Sequence, residues 1–203
     1  MTAATAEGLR RRSLLLVWAT VAWNAVEAVV AITAGVAAGS GALVSFGLDS
    51  TIEVSAALVA LWYLAGDDDE RGRVAGRLIG ASFWALAAWV TVDAVTDLVG
   101  GERPDVAGVG IALTALSLVV MPTLAVAKRR TAAALGSSAL VAESNQTLVC
   151  AYLSAAVLLG LGLHAVAGWW WADPVAAVVV AALAAREGVE AWRGELLEDG
   201  GCC

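Results

Sequence analysis

The sequence predicts an all-α polytopic membrane protein, a bundle of six transmembrane helices. Three observations predict it. Hydrophobic residues make up 60% of the 203-residue chain and the mean hydropathy is +0.80, whereas soluble domains hold roughly 45–50% apolar residues. Six segments are long and apolar enough to cross a bilayer, at roughly 20 residues each. Finally, the basic residues sort by side. Arg10, Arg11, Arg12, Arg71, Arg73, Arg77, Lys128, Arg129, Arg130, Arg186 and Arg193 fall on one side of a six-span thread, and only Arg103 falls on the other. This asymmetry predicts that the basic side, with both termini, is cytoplasmic. Five or seven spans would scramble the partition.

The first span runs from about Ser13 to Ala38. Arg10–Arg12 precede it, but the apolar run is too long for the core of a signal peptide. Gly39-Ser40-Gly41 reads as a tight hairpin into the second span, Ala42 to Ala65. Asp67 to Arg73 reads as a polar loop before the third span, Leu78 to Val99. Gly100 to Asp105 reads as a turn, with Pro104 suited to open the fourth span, Val106 to Ala127. Lys128 through Ser138 reads as a longer connection to the fifth span, Leu140 to Val166. Asp173 then reads as the N-cap, and Pro174 as the first residue, of a sixth span ending at Trp192. Trp169, Trp170 and Trp171 sit at the outer boundary, as an aromatic belt would. Gly35 and Gly39 permit close helix approach.

Residues 1–12 are thus expected to be a cytoplasmic tail, 13–192 the transmembrane domain, and 193–203 a short cytoplasmic tail ending in Cys202-Cys203. The predicted location is the plasma membrane, crossed in several passes. The net charge of −7, with no basic stripe, excludes nucleic acid as a partner. Three cysteines make no disulfide framework. The terminal pair reads as a collector of soft metal ions, a palmitoylation site or an inert end.

The polar residues inside the spans carry the chemistry. Asp49 and Glu53 stand four residues apart in the second span, on one helix face and about 6 Å from each other. Burying such a pair at membrane depth is unfavourable, so a cation should compensate it. Gln146 and Cys150 form another i, i+4 pair in the fifth span. Counting about 1.5 Å per residue brings Glu53 and Cys150 to nearly the same depth. Asp49, Glu53 and Cys150 offer two carboxylates and a thiolate, and Gln146 a carbonyl oxygen. Together they make a four-ligand set for a divalent ion of the zinc type. Glu143 or Asn145 are alternatives to Gln146. Taken singly, Cys150 also reads as a small buried apolar residue and Gln146 as an interhelical hydrogen bonder. Asn24 and Glu27 lie in the first span, and Glu187 and Glu190 near the cytoplasmic end of the sixth. Asp93 and Asp97 lie near the outer end of the third, either solvated or forming a cation-attracting funnel. The single histidine, His164, is near the outer surface and far from Cys150, so no nucleophile–base pair points to an enzyme.

On these residues the sequence resembles the cation diffusion facilitator, or cation efflux, family. Gly39-Ser40-Gly41 followed by Asp49-Ser50-Thr51-Ile52-Glu53 is similar to the family's Gly-Ser turn and second-helix Asp-Ser-x-x-Asp run. Ala142-Glu143 followed by Gln146 and Cys150 corresponds to the fifth-helix Ala-Asp and His-x-x-x-Asp, with Gln146 at the histidine and Cys150 at the aspartate. Trp170-Trp171-Ala172-Asp173-Pro174 resembles the turn before the sixth helix. The resemblance covers about Leu15 to Ala191. It implies a six-helix transmembrane domain of the cation-efflux type that exports a divalent metal cation, zinc first, in exchange for protons. The family's usual cytoplasmic α/β metal-binding module is missing from the residues after Trp192, so any homodimer is expected to form through the transmembrane helices. The alternative is a non-transporting relative that binds metal as a sensor or modulates a partner.

Overall fold

The computed structural model describes residues 3–64, 69–100, 105, 107–135 and 138–193. They form six helices: α1 (Ala3–Ala38), α2 (Gly41–Leu64), α3 (Asp69–Gly100), α4 (Gly108–Leu135), α5 (Ser138–Ala167) and α6 (Ala172–Arg193). There is no strand among the described residues. The expected all-α bundle is therefore what the chain builds. Glu7–Ala38, Gly80–Gly100, Gly108–Leu135 and Gln146–Ala167 are each long and apolar enough to cross a membrane. Large apolar side chains such as Leu15, Val29, Val92, Val119 and Leu159 point away from the bundle. A surface of this kind suits lipid and not water. The chain is an integral, multi-pass membrane protein.

Several helices outrun the expected spans. α1 continues back through Arg10–Arg12 to Ala3, because nothing between Ala3 and Ser13 breaks a helix except the tolerated Gly8. α4 continues through Lys128 to Leu135. The expected connection from Lys128 is thus mostly helix, and its polarity, which read as a loop, marks a helix face. Lys128, Thr131 and Ala132 are buried on that face. α3 already begins at Asp69, inside the expected polar loop. Asp67, Asp68, Gly101 to Pro104 and Cys202-Cys203 lie outside the described residues.

α2 sits at the centre, packed against α1, α3, α5 and α6. Its start is built by three parts of the chain. Gly39 takes a φ of +66°, a left-handed conformation open to glycine. Ser40 caps the helix, its Oγ accepting from Leu43 N at 3.2 Å. Asp173, expected to cap α6, instead lies within α6 and serves α2: its carboxylate accepts from Ser40 Oγ at 2.7 Å and Ala42 N at 3.4 Å. A carboxylate at a helix N-terminus also meets the positive end of the helix dipole. Of the Gly35 and Gly39 pair, only Gly35 makes a close approach, to the backbone of Val44.

α3 and α6 pack as closely at the other end. A Cβ at Gly188 would lie 2.6 Å from Trp84 Nε1 and 3.1 Å from Gly80 O. Trp84 stacks on Trp192 with ring centroids 5.1 Å apart, and Arg77 lies over the same Trp192 ring. Gly188→Leu has no room here, and overpacking costs about 1–3 kcal/mol. The melting temperature of the detergent-solubilised variant should fall by several degrees. An unchanged melting temperature would contradict the close α3–α6 approach.

Candidate metal centre

Three of the four predicted ligands come together. Asp49 and Glu53 present their carboxylates from α2, and Cys150 presents its sulfur from α5; one ligand atom from each lies within 4.8 Å of the others. All three side chains are buried. Helical periodicity explains this convergence. On α2 the buried positions Ala42, Leu43, Phe46, Asp49, Ser50 and Glu53 trace one face, and on α5 Thr147, Cys150, Ala151 and Ser154 trace another. The acids therefore lie in a buried seam that mixes apolar residues with small hydroxyl side chains.

Gln146 stands one turn before Cys150 and is half-buried. It lines a small cavity with Thr20, Asn24, Glu53, Ala57, Lys128 and Thr147. Its Nε2 is buried and has no hydrogen-bond partner among the described residues. Rotating the amide by a half-turn would put Oε1, the ligating atom, in that place. The side chains of Glu143 and Asn145 lie outside the described residues.

Two features join the centre that the spans alone did not indicate. α1 turns Thr20, Asn24 and Glu27 inward, at i, i+4 and i+7. Asn24 Nδ2 donates to Glu53 Oε2, which orients one of the α2 carboxylates. Glu27 is fully buried; one oxygen accepts from Ser50 Oγ at 3.3 Å, and the other has no partner among the described residues. Lys128 arrives from α4, fully buried, its Nζ donating to Thr147 Oγ1 at 3.0 Å. Asn24 and Glu27 were detectable from their shared helical face; Lys128 was hidden by its place in a polar run.

Among the described residues, acids outnumber cations at the site. Glu53 feels Asp49 and Glu27 as like charges and Lys128 as its opposite. Asp49 feels Glu187 and Glu27, and its Oδ2 is buried with no partner among the described residues. Carboxylates held together out of water need hydrogen bonds and counter-charge. Two carboxylates, a thiolate and an amide carbonyl are a donor set for a borderline-soft divalent ion.

The remaining polar groups lie elsewhere. His164 is fourteen residues beyond Cys150 on α5, which is roughly 21 Å along the helix. It interacts with Asp173 at the opposite end of the bundle, where Asp93 also acts on Asp173. Asp93 and Asp97 are half-buried there beside Gly41. Glu190 pairs with Arg186 at 2.8 Å on an exposed part of α6.

The chain matches the family model described as the cation efflux transmembrane domain over residues 72–197. That match takes in α5 with Gln146 and Cys150, but starts after Asp49 and Glu53. Among curated relatives, a protein named uncharacterized transporter sll1263 from Synechocystis is 30% identical over 70% of this chain and 49% of its own. Transmembrane protein 163 of Xenopus laevis is 24% identical over 78% of this chain and 58% of its own. The cation-efflux pump FieF of Shewanella oneidensis is 35% identical over 40% of this chain and 29% of its own. The chain thus spans less than two thirds of the length of each of these relatives. With a matched transmembrane domain covering more than half of its residues, this chain belongs to the cation efflux family.

Proposed function

We propose that this protein exports a divalent metal cation of the zinc type from the cytoplasm, in exchange for protons, with Asp49, Glu53, Cys150 and Gln146 as its ligands. The observation that carries this reading is the meeting of two carboxylates and a thiol from two helices, within 4.8 Å, inside a bundle of the cation efflux family. Both termini are cytoplasmic in this reading, as the distribution of basic residues supports, and the membrane is the plasma membrane. Residues 1–12 and 193–203 are then cytoplasmic tails around the 13–192 transmembrane domain. A homodimer would assemble through lipid-facing helix surfaces.

Coupling to protons follows from ligand chemistry. A carboxylate or thiol must give up its proton to bind a metal ion, so occupancy by metal and by protons are alternatives. One conformation would take the ion from the cytoplasm and the other release it outside, where protons refill the ligands. The side chains provide the proton acceptors and the ion supplies the charge that the acids lack. Cys150 in place of a carboxylate tilts the site towards softer ions. A non-transporting metal binder is a second reading, favoured by one observation: Gln146, a poor transition-metal ligand, occupies the fourth position. The protein catalyses no covalent reaction in either reading.

Asp49→Asn keeps the shape of the side chain and removes its charge. Zinc efflux from proteoliposomes should then drop at least about 100-fold, since losing an ion ligand costs several kcal/mol. Undiminished efflux by the variant would refute the site. Zinc binding without flux in the unaltered protein would favour the second reading. Cobalt(II) offers a separate check on the fifth helix: the native protein should show a thiolate-to-cobalt absorption band, and Cys150→Ser should lack it. A band that persists in the variant would remove Cys150 from the ligand set. Antiport further predicts that a proton gradient directed against the metal accelerates zinc flux, read with a pH-sensitive dye in the vesicle lumen. No effect of the gradient would sever metal flux from protons.

A further inference from the structure

We propose that Lys128 is a tethered cation at the cytoplasmic threshold of the metal centre, holding the ion's place against the acids and yielding it when a divalent ion arrives. The inference rests on the metal-centre reading and adds to it a residue that sets ion affinity and release. Lys128 reaches the centre from α4, a helix that supplies none of the proposed ligands. It is fully buried. A buried ammonium is costly unless anionic groups and hydrogen bonds answer it, and groups of the site are among its neighbours. Its Nζ donates to Thr147, the neighbour of Gln146. It lines the same cavity as Glu53, Asn24 and Gln146. It is also an attractive charge for Glu53, against the repulsion of Asp49 and Glu27.

The level of the lysine matters as much as its charge. The cavity lies between Thr20 and Asn24 of α1, Glu53 and Ala57 of α2, Lys128 of α4 and Gln146 and Thr147 of α5. Asp49 and Cys150 lie one turn further from the cytoplasmic ends of their helices than Glu53 and Gln146. In the orientation that the basic residues predict, an ion arriving from the cytoplasm meets Lys128 first. The lysine stem is flexible and its ammonium is a compact point charge. It can withdraw by rotation about its side-chain bonds while the helices stay in place. A divalent ion then replaces a single positive charge at Glu53, and the displaced ammonium remains close enough to oppose it. The result is a site that binds its ion less tightly than its acids alone would, and lets it go sooner.

A lysine that merely fills space or braces α4 against α5 would not give this sign. Neutralising it should tighten metal binding, whereas damage to the packing should weaken it. The experiment is a cobalt(II) titration of the purified full chain carrying Lys128→Met, Lys128→Gln or Lys128→Arg. The neutral variants should bind about tenfold or more tightly, because a like charge has been removed from a poorly screened site. Lys128→Arg should stay near the native affinity. In proteoliposomes the same neutral variants should turn over more slowly at saturating zinc, since release is slowed. Unchanged or weaker cobalt binding by the neutral variants would overturn the proposal. Lys128→Gln keeps a donor for Thr147 and carries the test if Lys128→Met does not fold. A measurement on the unaltered protein stands beside both: amine-reactive labelling of Lys128, read by mass spectrometry, should rise when zinc saturates the site. Labelling that stays constant or falls would count against displacement. If the native protein binds no cobalt at all, the metal centre itself fails; native binding without tightening in the variants fails the lysine alone.

Discussion

Two carboxylates four residues apart on a buried helix face are the constraint around which this bundle is built. Asp49 and Glu53 retain 2% and 7% of their accessible surface, so water cannot offset their mutual repulsion. The surroundings do so piecemeal. Asn24 donates to Glu53 from α1, Lys128 offers its charge from α4, and the thiol of Cys150 closes the third side from α5. Asp49 Oδ2 remains unanswered among the described residues. Among the described residues, helices α1, α2, α4 and α5 thus contribute to the site, and acids outnumber cations there.

Holding that site requires α2 to stay in register with its neighbours, and the packing shows how. The α1–α2 turn is fixed by Gly39, capped by Ser40 and clasped by Asp173 from the start of α6. Below it, Gly35 lets α1 approach the backbone of α2. α4 is joined to α5 by Ser144, whose Oγ donates to Ala125 O at 2.9 Å, and by the Lys128–Thr147 bond. Interhelical hydrogen bonds in a membrane protein each contribute modestly. Here they join α2 to α6 and α4 to α5, the latter beside Gln146.

The fold was largely legible from the sequence because its governing signals are local. Runs of apolar residues, the partition of basic residues and turn formers such as Gly39-Ser40-Gly41 depend on nothing distant. Polarity alone does not mark a loop. The Lys128–Leu135 stretch and the residues from Asp69 are polar yet helical, since helix formers persist and no breaker intervenes. Asp173 was expected to cap the helix it begins and caps another. A capping side chain is recognisable by its type, but its recipient is decided by which helix end lies next to it.

By itself the sequence determined the six-helix architecture and the pairs Asp49 with Glu53 and Gln146 with Cys150, because helical periodicity converts spacing directly into a shared face. Only the tertiary structure decided how those faces meet: that Asp49, Glu53 and Cys150 converge, that Asn24 holds Glu53, and that a lysine from α4 stands beside them. The physical reason is that contact between helices depends on their rotation and depth relative to one another. Those quantities are set by close approach at small residues and by interhelical hydrogen bonds, and no single segment carries them.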